Sequence, residues 1–114
     1  MKNIGEILSG YRQAAAGARE KEPNKHNEWH MKCHTHYKCL RQTEAGKRGI
    51  AALLDDDDPY VRCRAAAHCL QWAPDVARPV LEKLRDDNTV EWQCAFDAEM
   101  VLQEYDKGRL SFDY

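Results

Sequence analysis

Residues 48–70, with the sequence RGIAALLDDDDPYVRCRAAAHCL, decide the fold of this chain. An apolar segment ends at Leu53 and Leu54, four aspartates follow, and Asp58 and Pro59 open a second, alanine-rich apolar segment. Aspartate is a poor residue inside a helix but a good N-cap, and proline suits the first helical position. The stretch therefore predicts two antiparallel helices joined by a tight acidic corner.

The residue spacing across this corner resembles the core of a HEAT-type repeat. Residues 53–70 read Leu-Leu-x-Asp-x-x-Pro-x-Val-Arg-x-x-Ala-Ala-x-x-x-Leu, with Leu70 one position later than the family's usual spacing. The resemblance implies a helix pair that stacks on neighbouring pairs, with Asp56 and Arg62 bonding between repeats. The alternative is one ordinary helical hairpin.

Helical spacing of apolar residues extends over the whole chain, and no strand pattern is present. We expect one domain, residues 1–114, that is all-α: a HEAT-like or armadillo-type α-α superhelix of about six helices. Gly46 should cap the C-terminus of the second helix, and Thr89 the N-terminus of the sixth. Pro79 should kink the fifth helix or shorten its first turn, and Gly108 should stop the sixth. The predicted helices cover about residues 2–19, 24–45, 47–54, 59–73, 74–85 and 90–105.

Charge and composition exclude several classes of protein. The 17 basic and 19 acidic residues give a net charge of −2, so no nucleic-acid partner is indicated. No apolar run approaches the ~18 residues of a membrane span, and Gly5 and Glu6 interrupt any signal-peptide core. The five cysteines lie in helical patterns, which fits reduced thiols and a cytoplasmic location.

Histidines and cysteines are concentrated in the second predicted helix. The side chains of metal-ligand type are His26, His30, Cys33, His34, His36 and Cys39. His30 and His34 are spaced to share one helical face, as zinc would need. The same face continues into apolar side chains, and no Cys-x-x-Cys pair is present. We expect a partly solvated helix, with Cys33 in the core and no bound cofactor; zinc binding by these residues is the alternative.

The acidic corner has three interpretations. Residues 55–58 could be a capped, solvated turn, or they could hold a basic protein partner. Calcium binding is a third possibility, but the run lacks the glycine and the bidentate glutamate of an EF-hand loop.

The last helix is predicted to pack into the core. The residues expected to be buried there are Trp92, Ala95, Phe96, Met100 and Leu102, together with Trp72 of the fourth helix. A place at an interface is the alternative for the two tryptophans. Glu99 falls on the same side, and a buried carboxylate needs a partner, for which Arg62 or Arg64 is the candidate.

A short solenoid usually binds its partner on the concave surface that its second helices line. The exposed side of those helices is predicted to carry Arg64, His68, Gln71, Glu91, Gln93 and Asp97. Catalysis by Cys and His is not expected, because no cysteine lies in a glycine-rich elbow or at a helix start. The predicted partner-binding residues are Asp56, Asp57, Asp58, Tyr60, Arg64, His68, Glu91 and Asp97.

A wider resemblance covers most of the chain. Tyr37-x-x-Leu40-Arg41, Leu70-x-x-Ala73-Pro74, Pro79-Val80-Leu81-Glu82, Ala98-Glu99-Met100-x-Leu102 and Gly108-Arg109-Leu110 resemble a family of small bacterial helical domains. Some of its members are encoded beside polymorphic or contact-dependent toxins, which implies an immunity role. The leading expectation is therefore a protein-binding module, not an enzyme, that neutralises a toxin; a basic toxin domain would complement the acidic corner. A metal-binding or regulatory helical protein and a scaffold subunit are the alternatives.

Overall fold

The computed structural model describes residues 3–114, and this part of the chain contains helices and no strand. The prediction of an all-α protein is confirmed. The predicted start of the first helix at residue 2 lies outside the described residues. Short 3-10 turns, Gly17–Arg19 and Leu53–Asp55, follow the first and third helices. The helices are α1 (Ile4–Ala16), α2 (Pro23–Leu40), α3 (Glu44–Ala52), α4 (Pro59–Cys69), α5 (Pro74–Asp86) and α6 (Trp92–Asp106).

The acidic corner between α3 and α4 is built as its residues predict. Asp58 is the N-cap of α4, and its Oδ1 accepts the main-chain N–H of Tyr60 at 2.9 Å. Pro59 occupies the first helical position. A backbone N–H at this position has no acceptor within the helix, so the proline costs no hydrogen bond. The corner therefore fixes the start of α4.

The boundary between α2 and α3 differs from the prediction. Helix α2 ends at Leu40, and Gly46 lies inside α3 instead of capping α2. Thr43 caps α3 by accepting the Gly46 N–H at 3.0 Å. A Cβ on Gly46 would lie 2.0 Å from the Leu40 carbonyl oxygen, so the glycine allows α3 to start directly against the end of α2.

Three further predictions concern the last two helices. Helix α5 begins at Pro74 and continues through Pro79, so the expected shortening does not occur. Thr89 does not cap α6, because its N–H and its hydroxyl both donate to Asp87 and the helix begins only at Trp92. Gly108 has φ of 71° and ends α6, as predicted.

Helix α4 lies at the centre of the core. Helices α1, α3, α5 and α6 all pack against it. Its small residues allow these neighbours to approach closely, and only Pro59, Arg62 and Arg64 of the helix stay partly exposed. Its buried residues are Tyr60, Val61, Cys63, Ala65, Ala66, Ala67, His68 and Cys69.

Helix α6 buries only Cys94, Ala98 and Leu102, and packs mainly on α4 and α5. The predicted burial of Trp92, Phe96 and Met100 is wrong: Trp92 is 73% exposed, and the other two are exposed as well. Among residues 3–114, no element covers this outer side of the helix. Trp72 packs partly buried against the core.

Glu99 is exposed on α6 as well. Neither its predicted burial nor its ion pair with Arg62 or Arg64 is present. The carboxylate meets solvent and needs no internal partner.

Candidate binding surfaces

Two of the four aspartates of the acidic corner are paired inside the molecule. The Arg12 guanidinium of α1 donates to both carboxylate oxygens of Asp56, at 2.8 and 3.0 Å. Arg19 donates to Asp58 at 2.8 Å. The hydrogen bond from Arg12 holds the pKa of Asp56 below its usual value. These carboxylates therefore tie the corner to the first part of the chain.

The remaining aspartates of the corner, Asp55 and Asp57, are exposed. Arg62 donates to the main-chain carbonyl oxygens of Asp56 and Asp57, at 2.8 and 3.1 Å. A cleft of about 460 Å³ lies beside them and also contains Lys83 of α5. The corner can offer two free carboxylates to a partner, which is half of the predicted acidic charge.

A cluster of aromatic rings, Tyr11, Tyr37, His68 and Phe112, fills the core beside α4. The Nδ1 of His68 and the Tyr11 hydroxyl are 2.6 Å apart, and the imidazole stacks on Tyr37 with ring centres 3.8 Å apart. Phe112 meets the imidazole edge-on at 4.6 Å. Burial, and then the nearby charge of Arg64, hold the pKa of His68 well below its usual value. His68 is therefore a neutral core residue.

This burial corrects part of the predicted partner surface. His68 is only 2% exposed and Tyr60 only 3%, so the predicted exposure of His68 is wrong. The small residues of α4 let helices approach from both sides, which leaves no open concave side at these positions. A partner could contact either side chain only if the helices moved apart.

Two histidines of α2, His30 and His34, contact the C-terminal tail, residues 107–114. The Nε2 of His34 donates to the main-chain oxygen of Tyr114 at 2.6 Å, and the rings stack at 3.9 Å. The Nε2 of His30 lies 2.9 Å from the Tyr114 hydroxyl. His34 is 3% exposed, so the expectation of a solvated helix is wrong at this position.

Metal-ligand geometry is missing from the part of the chain that the structure describes. Within residues 3–114 there is no group of three His, Cys, Asp or Glu side chains that could hold a metal ion. His26 is engaged through Nδ1, which donates to the Glu20 carbonyl oxygen at 3.2 Å. Cys33 is buried, as expected, and burial raises the pKa of its thiol to about 11.

A cleft runs along the exposed side of α6. It has a volume of about 490 Å³, and we call it the α6 groove. The Trp92 and Phe96 rings meet edge to face at its wall, with centres 6.3 Å apart. It is lined by Ala18, Glu20, Lys21, Pro23, His26, Asn27, Trp92, Gln93, Phe96 and Asp97.

Charge on α6 has one sign, because the helix contains acidic residues and no Lys or Arg. Asp106 is paired with Arg78 at 2.7 Å and Glu104 with Arg109 at 3.0 Å. Asp97 and Glu99 form no ion pair within residues 3–114. The helix therefore presents aromatic rings together with free carboxylates.

Sequence reasoning missed the groove, although the sequence holds a signal for it. Helix α6 carries two apolar stripes at four-residue spacing: a bulky one at Trp92, Phe96 and Met100, and a smaller one at Cys94, Ala98 and Leu102. The stripes lie on different sides of the helix, and a single core can cover only one. Small residues mark the side of close helix approach, which is the side that the structure buries.

Comparison of the chain with family models, with curated proteins and with solved structures finds no match. The described residues also contain no helix that is long and apolar enough to cross a membrane. The function therefore has to be inferred from the side chains described above.

Proposed function

We propose that the protein is a binding module that receives a basic protein partner in the α6 groove. The observation that carries this proposal is the exposure of Trp92 and Phe96 at the wall of a cleft of about 490 Å³. Tryptophan and other aromatic residues dominate the binding energy of protein interfaces, and apolar patches with a polar rim mark such surfaces. Helix α6 carries both the exposed aromatic residues and the polar residues around them.

The charge around the groove favours a basic partner. Asp97 lines the groove, Glu99 is exposed on the same helix, and Glu91 is exposed directly before it. Lys21 is the only lysine or arginine among the lining residues. Complementary charge across an interface accelerates association and selects the partner. Lysine and arginine side chains placed around an inserted apolar residue would match this surface.

The resemblance of the sequence to HEAT-type repeats and to toxin-associated domains supports a more specific form of the proposal. In this form the chain is a short HEAT-like superhelix and an immunity protein that neutralises a cognate bacterial toxin. The packing of α1 on α2, α3 on α4 and α5 on α6 is compatible with such pairs. The exposed Asp55 and Asp57 would extend the acidic contact beyond the groove.

The test is a binding measurement with the toxin domain encoded beside this chain's gene, produced together with this chain. We expect a stoichiometric complex that relieves toxicity. Trp92→Ala and Phe96→Ala should each weaken it by about 30-fold, the size of an interface hot spot of 2 kcal/mol. Val76→Ala is the matched control, because Val76 is an exposed apolar residue of α5 outside the groove. Equal affinity of all three variants would exclude the groove.

Charge reversal separates the groove from the acidic corner. Asp97→Lys with Glu99→Lys should slow association if the groove receives the partner, and Asp55→Lys with Asp57→Lys should then have a smaller effect. The reverse order would place the interface at the corner. No complex with the neighbouring domain would reject the immunity role.

A further inference from the structure

The α6 groove contains a carboxylate that no cation of the described chain binds. Asp97 lines the groove and is partly buried, and its carboxylate forms neither a hydrogen bond nor an ion pair with residues 3–114. The partly buried aspartates of the acidic corner, Asp56 and Asp58, are by contrast each paired with an arginine. A carboxylate that is partly withdrawn from water without a partner is costly, so Asp97 favours the approach of a cation.

The cationic side chains near Asp97 do not supply this partner. Burial raises the pKa of Asp97, and Arg64 and then His26 act against this rise without forming an ion pair with the carboxylate. The Nδ1 of His26 is engaged with the Glu20 carbonyl oxygen at 3.2 Å. Lys21, which lines the groove, is exposed and forms no ion pair with residues 3–114. The groove therefore has a place for a cation that comes from another molecule.

An aromatic ring without a cation lies in the same groove. Trp92 is 73% exposed and meets Phe96 edge to face, and both residues line the groove together with Asp97. Lysine side chains lie over the rings of the other two tryptophans, Trp29 and Trp72, whereas no cation among residues 3–114 lies over Trp92. The face of an aromatic ring attracts cations, and tryptophan attracts them most strongly. The ring and the carboxylate thus favour the same kind of ligand.

We propose that the α6 groove receives an arginine side chain of the protein partner, with the guanidinium against the Trp92 ring and paired with the Asp97 carboxylate. This inference rests on the proposed function and names the partner residue that the groove selects. Arginine fits better than lysine, because the planar guanidinium stacks on aromatic rings and can donate two parallel hydrogen bonds to a carboxylate. The guanidinium is also less strongly hydrated than an ammonium group, so it enters a half-buried site at a lower cost.

The size of the groove agrees with this occupant. Its volume of about 490 Å³ lies within the range of roughly 300–1,000 Å³ that is typical of sites for small organic molecules. An arginine side chain with the backbone on either side of it is a ligand of this size class. The long aliphatic part of the side chain would contact the apolar wall at Phe96, while the charge reaches Asp97.

The test is an NMR titration of the whole protein with N-acetylarginine amide at constant ionic strength. The readout is the indole N–H signal of Trp92 and the backbone signals of the residues that line the groove, and we expect a saturable shift at these residues. N-acetylcitrulline amide has the same planar shape without the charge and should bind about tenfold more weakly. N-acetyllysine amide keeps the charge without the planar group and should bind about threefold more weakly.

Variants separate the contributions of the carboxylate and the ring. Asp97→Asn should weaken binding of the arginine compound about tenfold. The matched control is Asp75→Asn, which removes the same charge from an exposed residue of α5 outside the groove and should leave the affinity unchanged. Trp92→Leu keeps an apolar side chain and removes the aromatic face, and should weaken binding about threefold.

Three results would overturn the proposal: shifts that do not saturate or that lie outside the groove, equal affinity for the citrulline compound, or equal losses in Asp97→Asn and Asp75→Asn. Equal affinity for the lysine compound would overturn the choice of arginine. The comparison of the three compounds on the wild-type protein decides the question even if Asp97→Asn does not fold.

Failure of this inference is distinct from failure of the proposed function. A complex with the toxin domain that Trp92→Ala weakens, without binding of the arginine compound, would reject the arginine and retain the groove as the interface. Binding of the arginine compound without such a complex would reject the immunity role and retain a site for a guanidinium group.

Discussion

Helices α4 and α6 each follow a turn that contains aspartate, yet their environments are opposite. Helix α4 buries eight of its 11 residues, whereas α6 buries three of 15. The histidine and the tyrosine of α4 are in the core, while the tryptophan and the phenylalanine of α6 meet solvent. Residue type therefore does not decide burial in this chain; what decides it is how many other elements pack on the helix.

This difference separates stability from recognition. Substitutions of the buried residues of α4 should act on folding, because other helices pack against them. Substitutions on the outer side of α6 should act on partner binding and leave folding nearly unchanged. Three pairs of measurements test the separation, and they follow from the largest expected effect to the smallest.

Truncation of an aromatic residue in each helix should give the largest contrast. Tyr60→Ala in α4 removes a buried ring that also lies under the Arg19 guanidinium, and should cost about 3–5 kcal/mol of the free energy of unfolding. Phe96→Ala in α6 should cost less than about 1 kcal/mol, because half of its side chain is already exposed. Urea denaturation measures both. Similar losses of unfolding free energy in the two variants would show that the Phe96 side of α6 is covered in solution.

Between pH 7 and pH 5, acid should destabilise the protein through the buried His68 of α4, whereas α6 contains no histidine. Because the pKa of His68 is lowered in the folded state, the unfolded chain binds a proton first as the pH falls below about 6.5. The contribution of His68 is therefore complete above that pH and is lost below it, by up to about 1.4 kcal/mol per pH unit.

The measurement is the free energy of unfolding at pH 7, 6 and 5. The change in this free energy per pH unit should be smaller in His68→Gln than in the wild-type protein. A part of it should remain because of His30, whose pKa is also lowered by burial. An unchanged slope in the variant would show that His68 takes up its proton in the folded protein.

The N-termini of the two helices should give the smallest contrast. Asp58 caps α4 with a side-chain hydrogen bond, whereas Glu91, at the corresponding position of α6, makes none to the helix. Asp58→Ala should cost about 1–2 kcal/mol, and Glu91→Ala no more than about 0.5 kcal/mol. Thermal unfolding of both variants tests the difference. Equal losses of stability in the two variants would show that the Glu91 side chain stabilises α6 although it makes no capping hydrogen bond.

Much of the fold could be predicted from local signals. Asp58, Pro59 and Gly108 act through their own backbone neighbours, so the sequence identifies the acidic corner and the end of α6. The junction of α2 and α3 could not be placed in this way. Gly46 resembles a helix cap in sequence, but its position is set by the close approach of the Leu40 backbone.

Less of the candidate site could be predicted, because burial depends on tertiary packing. The periodicity of α6 shows two apolar stripes and does not say which one the core covers. The internal pairing of Asp56 with Arg12 joins residues 44 positions apart, and no local pattern indicates it. His68 has polar atoms that suggest a surface position, but the Tyr11 hydroxyl and two aromatic rings accommodate it in the core.

The ring cluster around His68 also has a consequence for the order in which the chain folds. Tyr11 and Phe112 come from opposite ends of the described chain, and both touch the same imidazole. Contacts between residues that are distant in sequence require closure of long loops, and this closure slows folding. During synthesis, one side of α4 stays uncovered until Phe112 has emerged from the ribosome. Until then the surface that will become the core is available to chaperones.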